Sequence, residues 1–226
     1  MAKKTNLRRR IGRRGQSFAE LMLVLGFLII LLVGVVEFGF LLNSYLHVFD
    51  AAREAARFSS SSLAIAPGGL SIEEFYTNTA VQAMRVMTPL VLRGNNGDDV
   101  VISVFSASGT HVDRYPSAAG WSLCNLYGID WALIEPNLPV EILPGQFLDD
   151  WQFCTPQTST FPDSAIEAML EPLAPPSGVL LVEIFYFQDQ VLGIPPVSVM
   201  IPDPIRIYVY SVMPLSSAEP TATPRP

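Results

Sequence analysis

Arg13-Arg14-Gly15-Gln16-Ser17-Phe18-Ala19-Glu20-Leu21-Met22-Leu23-Val24-Leu25-Gly26-Phe27-Leu28-Ile29-Ile30-Leu31-Leu32-Val33-Gly34-Val35-Val36 passes from cations to an unbroken apolar run, and its reading sets the architecture of the 226-residue chain. Upstream, Lys3, Lys4, Arg8, Arg9 and Arg10 join Arg13 and Arg14, so half of the 14 Lys and Arg precede Gly15. From Leu21 to Leu42 a helix rising about 1.5 Å per residue reaches about 33 Å, enough for a hydrocarbon core of about 30 Å. A buried core helix would carry a polar face. A signal peptide has an apolar region of only about 7 to 15 residues closed by small residues at its cleavage site. Here the nearest Ala-x-Ala is Ala64-Ile65-Ala66, far beyond Leu42. The expectation is one membrane-spanning helix.

Orientation follows from the charges. Lys and Arg within about 15 to 20 residues of a span stay on the cytoplasmic side, which places the amino terminus inside the cytoplasmic (inner) membrane and the rest outside. The net charge of -7 hides an asymmetry, because residues 15–226 hold seven Lys and Arg against 21 acids, a balance of -14. An acidic exported part repels phosphates, so the basic leader reads as an orientation signal, and no nucleic-acid partner is expected. The length beyond the helix suits one exported domain.

Two carboxylates punctuate the apolar segment. Glu20 lies at the cytoplasmic mouth, where headgroups and water solvate it. Glu37 has two readings: it marks the outer interface, since Leu21 to Val36 alone gives about 24 Å, or it contacts another subunit's helix or a partner. Gly26, Gly34 and Gly39 are notches where a second helix could approach, without forming a strict GxxxG.

The run Arg13-Arg14-Gly15-Gln16-Ser17-Phe18-Ala19-Glu20, with Val36-Glu37-Phe38-Gly39 and Ala51-Ala52-Arg53-Glu54-Ala55-Ala56-Arg57 beyond it, resembles the TadE-like proteins, pseudopilins of the tight-adherence (Tad, Flp) pilus machinery. The likeness covers about residues 13–58. It implies a prepilin peptidase that cuts between Gly15 and Gln16. Glu20 would then meet the terminal amine of a neighbouring subunit, since a charge buried at a helix tip needs a partner. It further implies other pilins or pseudopilins and the pilus assembly machinery as partners, with membrane lipid around the helix.

Past the membrane the helix is expected to run from about Phe18 to Phe58 as a stalk, because Asn43 to Ser60 lacks Gly and Pro and places Leu46, Phe49, Ala52 and Ala56 at helical spacing. After Pro67-Gly68-Gly69, Ser71 and Glu74 form a capping box that opens a second helix, Ser71 to Met87. Asn95-Asn96-Gly97 turns the chain, and Val100 to Phe105 has the composition of a strand. Gly178 to Phe187 and Ile205 to Met213 read as further strands. The fold class expected is α+β and pilin-like: a long helix, then a small antiparallel sheet with a helix packed on it. The divisions are a leader at 1–15, the membrane and stalk helix at 16–60, an exported domain at 61–213 with an insertion at about 115–177, and a disordered tail rich in Pro, Ser and Thr at 214–226.

The insertion holds Trp121, Trp131 and Trp151 and both cysteines, Cys124 and Cys154. Outside the cytosol an isolated pair of cysteines more often bonds than stays free. Aromatics on such a loop either bury as core or are displayed to a partner or glycan. No catalytic template is met. His47 and His111 are the only histidines, no CxxC occurs, and no Gly-x-Ser-x-Gly surrounds a serine. No enzyme activity, metal or cofactor is expected. The reading is a minor pseudopilin or assembly component; the alternatives are an uncleaved single-pass anchor presenting the loop domain to a surface ligand, and a tethered hydrolase.

Overall fold

A computed structural model of the chain describes residues 13–61, 72–108, 111–116, 119–126, 151, 153–168, 177–195, 198 and 201–215. Helix α1 (Arg13–Ser61) leads into α2 (Ile72–Met87), followed by strands β1 (Asp99–Ser108), β2 (His111–Tyr115) and β3 (Trp121–Ser122), the short helix α3 (Asp163–Glu167), and strands β4 (Ser177–Gln188) and β5 (Ile205–Leu215). The class is α+β, as the sequence pattern indicates.

One antiparallel sheet is built in the order β2-β1-β4-β5, with β3 also on β1. Strand β3 pairs with Val101 and Ile102, and β2 with Val104 to Ser108, so the two short strands share one edge of β1. The period of two along each strand assigns its faces. Val100, Ile102 and Val104 of β1, Leu180, Val182, Ile184 and Tyr186 of β4, and Ile207 and Val209 of β5 pack with α1 and α2. On the reverse face Phe105, Val112 and Leu181 enclose Ile166 of α3. Buried Arg114 fixes that side: its Nε lies 2.7 Å from Asp163 Oδ1, its guanidinium donates to the Phe161 carbonyl, and it stacks over the Phe105 ring at 4.7 Å.

The alanines of α1 explain how a helix lies so close to the sheet. Ala51, Ala52, Ala55 and Ala56 are all fully buried, whereas Arg53, Glu54 and Arg57 point outward, with Arg57 and Glu54 paired at 2.6 Å. Helix α2 docks against the same stretch, and the hydroxyls of Ser59 and Thr79 meet at 2.6 Å in the buried seam.

Several boundaries differ from expectation. Helix α1 continues to Ser61, past Phe58, because Ser60 and Ser61 donate their hydroxyls back to the carbonyls of Arg57 and Phe58. Strand β2 was not anticipated, since its alternating His111-Val112-Asp113-Arg114-Tyr115 is mostly polar. Pro214 and Leu215 belong to β5, opposite Val179 and Gly178, rather than to a tail: β4 extends far enough to pair with them. Ser71 of the expected capping box, Trp131 and residues 216–226 lie outside the described residues.

Candidate membrane anchor and assembly face

Helix α1 changes its surroundings along its length. From Phe18 to Leu32 every residue is exposed, and Leu23, Phe27 and Leu32 keep 76%, 62% and 63% of their surface open. Past Glu20, from Leu21 on, this is a continuous apolar cylinder, foreign to water. By length and composition this helix could cross a membrane. From Val33 onward one face is covered: Val33 is buried, and then Ser44, Val48, Ala51, Ala52, Ala55, Ala56 and Ser59, which follow one another in steps of one, three and four residues. The other face stays bare, with Val35, Phe38, Phe40, Leu42, Tyr45 and Leu46 exposed.

Gly15 and Gln16 lie in the first turns of α1, and Glu20 is exposed on it. About 25 Å of helix separates Glu20 from Glu37, so the two carboxylates do not form one site. Glu37 meets this chain's own β4–β5 connection. Its Oε1 accepts hydrogen bonds from the backbone N–H of Leu192 (2.5 Å) and Gly193 (3.2 Å), and its Oε2 accepts one from Val191 (3.1 Å). Gly193 has φ of +54°, the left-handed conformation that glycine adopts without penalty. Two turns along, Ser44 donates to Gln188 at 2.7 Å. Nothing adjacent in the sequence marks this partner of Glu37 within the chain. The signal present was the apolar run Val191-Leu192-Gly193-Ile194-Pro195-Pro196.

Cys124 and Cys154 are bonded, with Cα atoms 5.8 Å apart. Nearby, Trp151 is 1% exposed and lies so close over Gly94 that a Cβ there would come within 2.6 Å of the indole. Trp121 stacks on Tyr76 of α2 at 5.7 Å. Both indoles are therefore core, not displayed groups. Asp99 ties this corner together by accepting from the backbone N–H of Val100, Cys124 and Gln157 and from the Ser122 hydroxyl.

Three buried acids were missed as a group. Asp98 accepts from the backbone N–H of Arg93 and Phe187, both at 2.7 Å. Burial pushes the carboxyls of Asp98 and Asp99 up to about 6, against the opposing pull of these hydrogen bonds. Glu183, fully buried in β4, accepts from the Thr160 backbone and hydroxyl and from Tyr208. A lone acid inside an apolar strand was the available signal. His111 lies near Asp113 and Glu167, with His111 and Asp113 well exposed and Glu167 half-buried. Among the described residues no group of three or more His, Cys, Asp or Glu could hold a metal ion.

Residues 15–57 match the family model of the TadE-like protein. The match starts at Gly15 and ends at Arg57, so it covers the bare apolar cylinder, Glu37 and the alanine seam of α1. Match and helix together are consistent with a membrane protein associated with a Tad pilus. No curated protein and no solved structure matches the chain.

Proposed function

We propose that the chain is a minor pseudopilin, an assembly component of a Tad (Flp) type IV-like pilus, held in the cytoplasmic membrane by α1 with its α+β head exported. The carrying observation is that the TadE-like match, residues 15–57, takes in the whole stretch of α1 whose apolar surface the chain's own fold leaves bare. Prepilin peptidase cuts between Gly15 and Gln16, and Glu20 then receives the new terminal amine of a neighbouring subunit. The acidic head stays outside, where Cys124 and Cys154 oxidise.

Bare apolar length supports assembly. The exposed stripe from Phe18 to Leu46 rises about 43 Å at about 1.5 Å per residue, against a hydrocarbon core of about 30 Å. Phe40, Leu42 and Leu46 are the surplus, and the helices of other pilins are the cover it fits. The role is mechanical, not catalytic.

Intact mass and amino-terminal sequence of the protein from native membranes, beside a Gly15→Leu variant, test the proposal. A chain beginning at Gln16 in the wild type and uncut in the variant is the expected result. A wild-type chain that keeps its seven leader cations overturns processing and leaves a permanent anchor.

A further inference from the structure

Starting at Phe18, only the residues to Leu32 precede the first residue of α1 that the head covers, Val33. That stretch rises about 22 Å, whereas a hydrocarbon core of about 30 Å needs about 20 helical residues. The apolar layer therefore extends to the level of Glu37 and Phe38, where the β4–β5 loop lies against α1. The lowest part of the head and the outer edge of the bilayer occupy the same depth.

The loop is built for that depth. Val191, Leu192, Ile194 and Ile201 are exposed, by 47%, 40%, 44% and 38%. Its base is polar and closed: Gln190 donates its backbone N–H to Asp203 and its side-chain amide to the Ile201 carbonyl. Irregular backbone near lipid must have its polar groups satisfied within the protein, and a carboxylate there needs donors. Glu37 and the amides of Val191, Leu192 and Gly193 meet both requirements at once.

We propose that the β4–β5 loop is a second membrane contact, seating Val191, Leu192, Ile194 and Ile201 in the outer boundary of the bilayer that α1 spans, with Glu37 pinning the loop to the helix. The occupant of the loop's apolar surface is lipid, because Glu37 holds that surface against α1 five residues past Leu32, the end of the bare apolar cylinder. The head is thereby held at a fixed height and tilt on the membrane. This inference rests on the reading of α1 as a membrane span.

The test places a photo-crosslinking residue, p-benzoyl-phenylalanine, singly at Leu192, at Leu23 in the span and at Val91 on the head, in the full chain reconstituted in phosphatidylethanolamine and phosphatidylglycerol vesicles. Mass spectrometry then reads lipid adducts. Adducts at Leu23 and Leu192, none at Val91, and loss of the Leu192 adduct on Glu37→Gln are expected. Adducts at Leu23 without any at Leu192, or crosslinks from Leu192 to a second copy, overturn the loop contact while the span stands. Absence of adducts at Leu23 overturns the membrane reading, and the loop contact with it.

Discussion

Asp98 and Asp99 make the stability of this chain depend on pH in a direction opposite to most surface acids. Their folded carboxyls titrate at about 6 while the ordinary value is 3.8, so the folded protein binds protons more tightly than the unfolded chain. Their contribution to stability is then greatest below about pH 4 and falls as pH rises toward 6, beyond which it is constant. Two units correspond to about 3 kcal/mol for each acid. In Asp98→Asn one source is gone, so the thermal midpoint of the variant should depend less steeply on pH between 4 and 6 than that of the wild type. Identical slopes would show that Asp98 is ionised in the fold at no cost. Neither acid was recognisable from the chain alone, because Asp98-Asp99 after Asn95-Asn96-Gly97 reads as ordinary turn polarity. Their burial comes from Phe187, Ser122, Cys124 and Gln157, contributed by distant parts of the sequence.

At the scale of elements, α1 carries two kinds of apolar surface that look alike in sequence. Leu, Ile and Phe up to Leu32 face outward on all sides, whereas the alanine pairs 51–52 and 55–56 form a narrow seam for α2 and the sheet. Small side chains there set how closely the helices approach. Ala55→Leu adds three carbons to a site with no free surface, and overpacking of this kind costs about 1 to 3 kcal/mol. Chemical denaturation of the full chain in detergent should lower the midpoint accordingly, while an outward Arg53→Leu change leaves it nearly unmoved. The helix was legible from its uninterrupted period and lack of Gly and Pro. Of its two partner strands, β4 was legible from its apolar run and β5 from its alternation. Strand β2 and the two-residue β3 were not, since neither carries an apolar rhythm and both exist only because β1 offers them an edge.

For the whole molecule, the bond between Cys124 and Cys154 closes a loop of 29 intervening residues. In the chain-entropy account such a closure stabilises by about 3 to 4 kcal/mol. Replacing both cysteines by serine should lower the unfolding free energy of the full chain by that order, and a reductant should reproduce the loss in the wild type only. An unchanged stability would mean that Trp151, packed on Gly94, holds the corner without the bond. The sequence by itself determined the apolar helix, the cluster of cations ahead of it, the TadE-like likeness and the α+β class, because charge, length and local periodicity are properties of neighbouring residues. Only the tertiary structure decided that Glu37 meets the amides of Val191 to Gly193, that Trp121 and Trp151 are core, and that Asp98, Asp99 and Glu183 lie buried. Each of those outcomes depends on residues far apart in the chain, and their meeting is set by how the sheet packs against α1 rather than by any local preference.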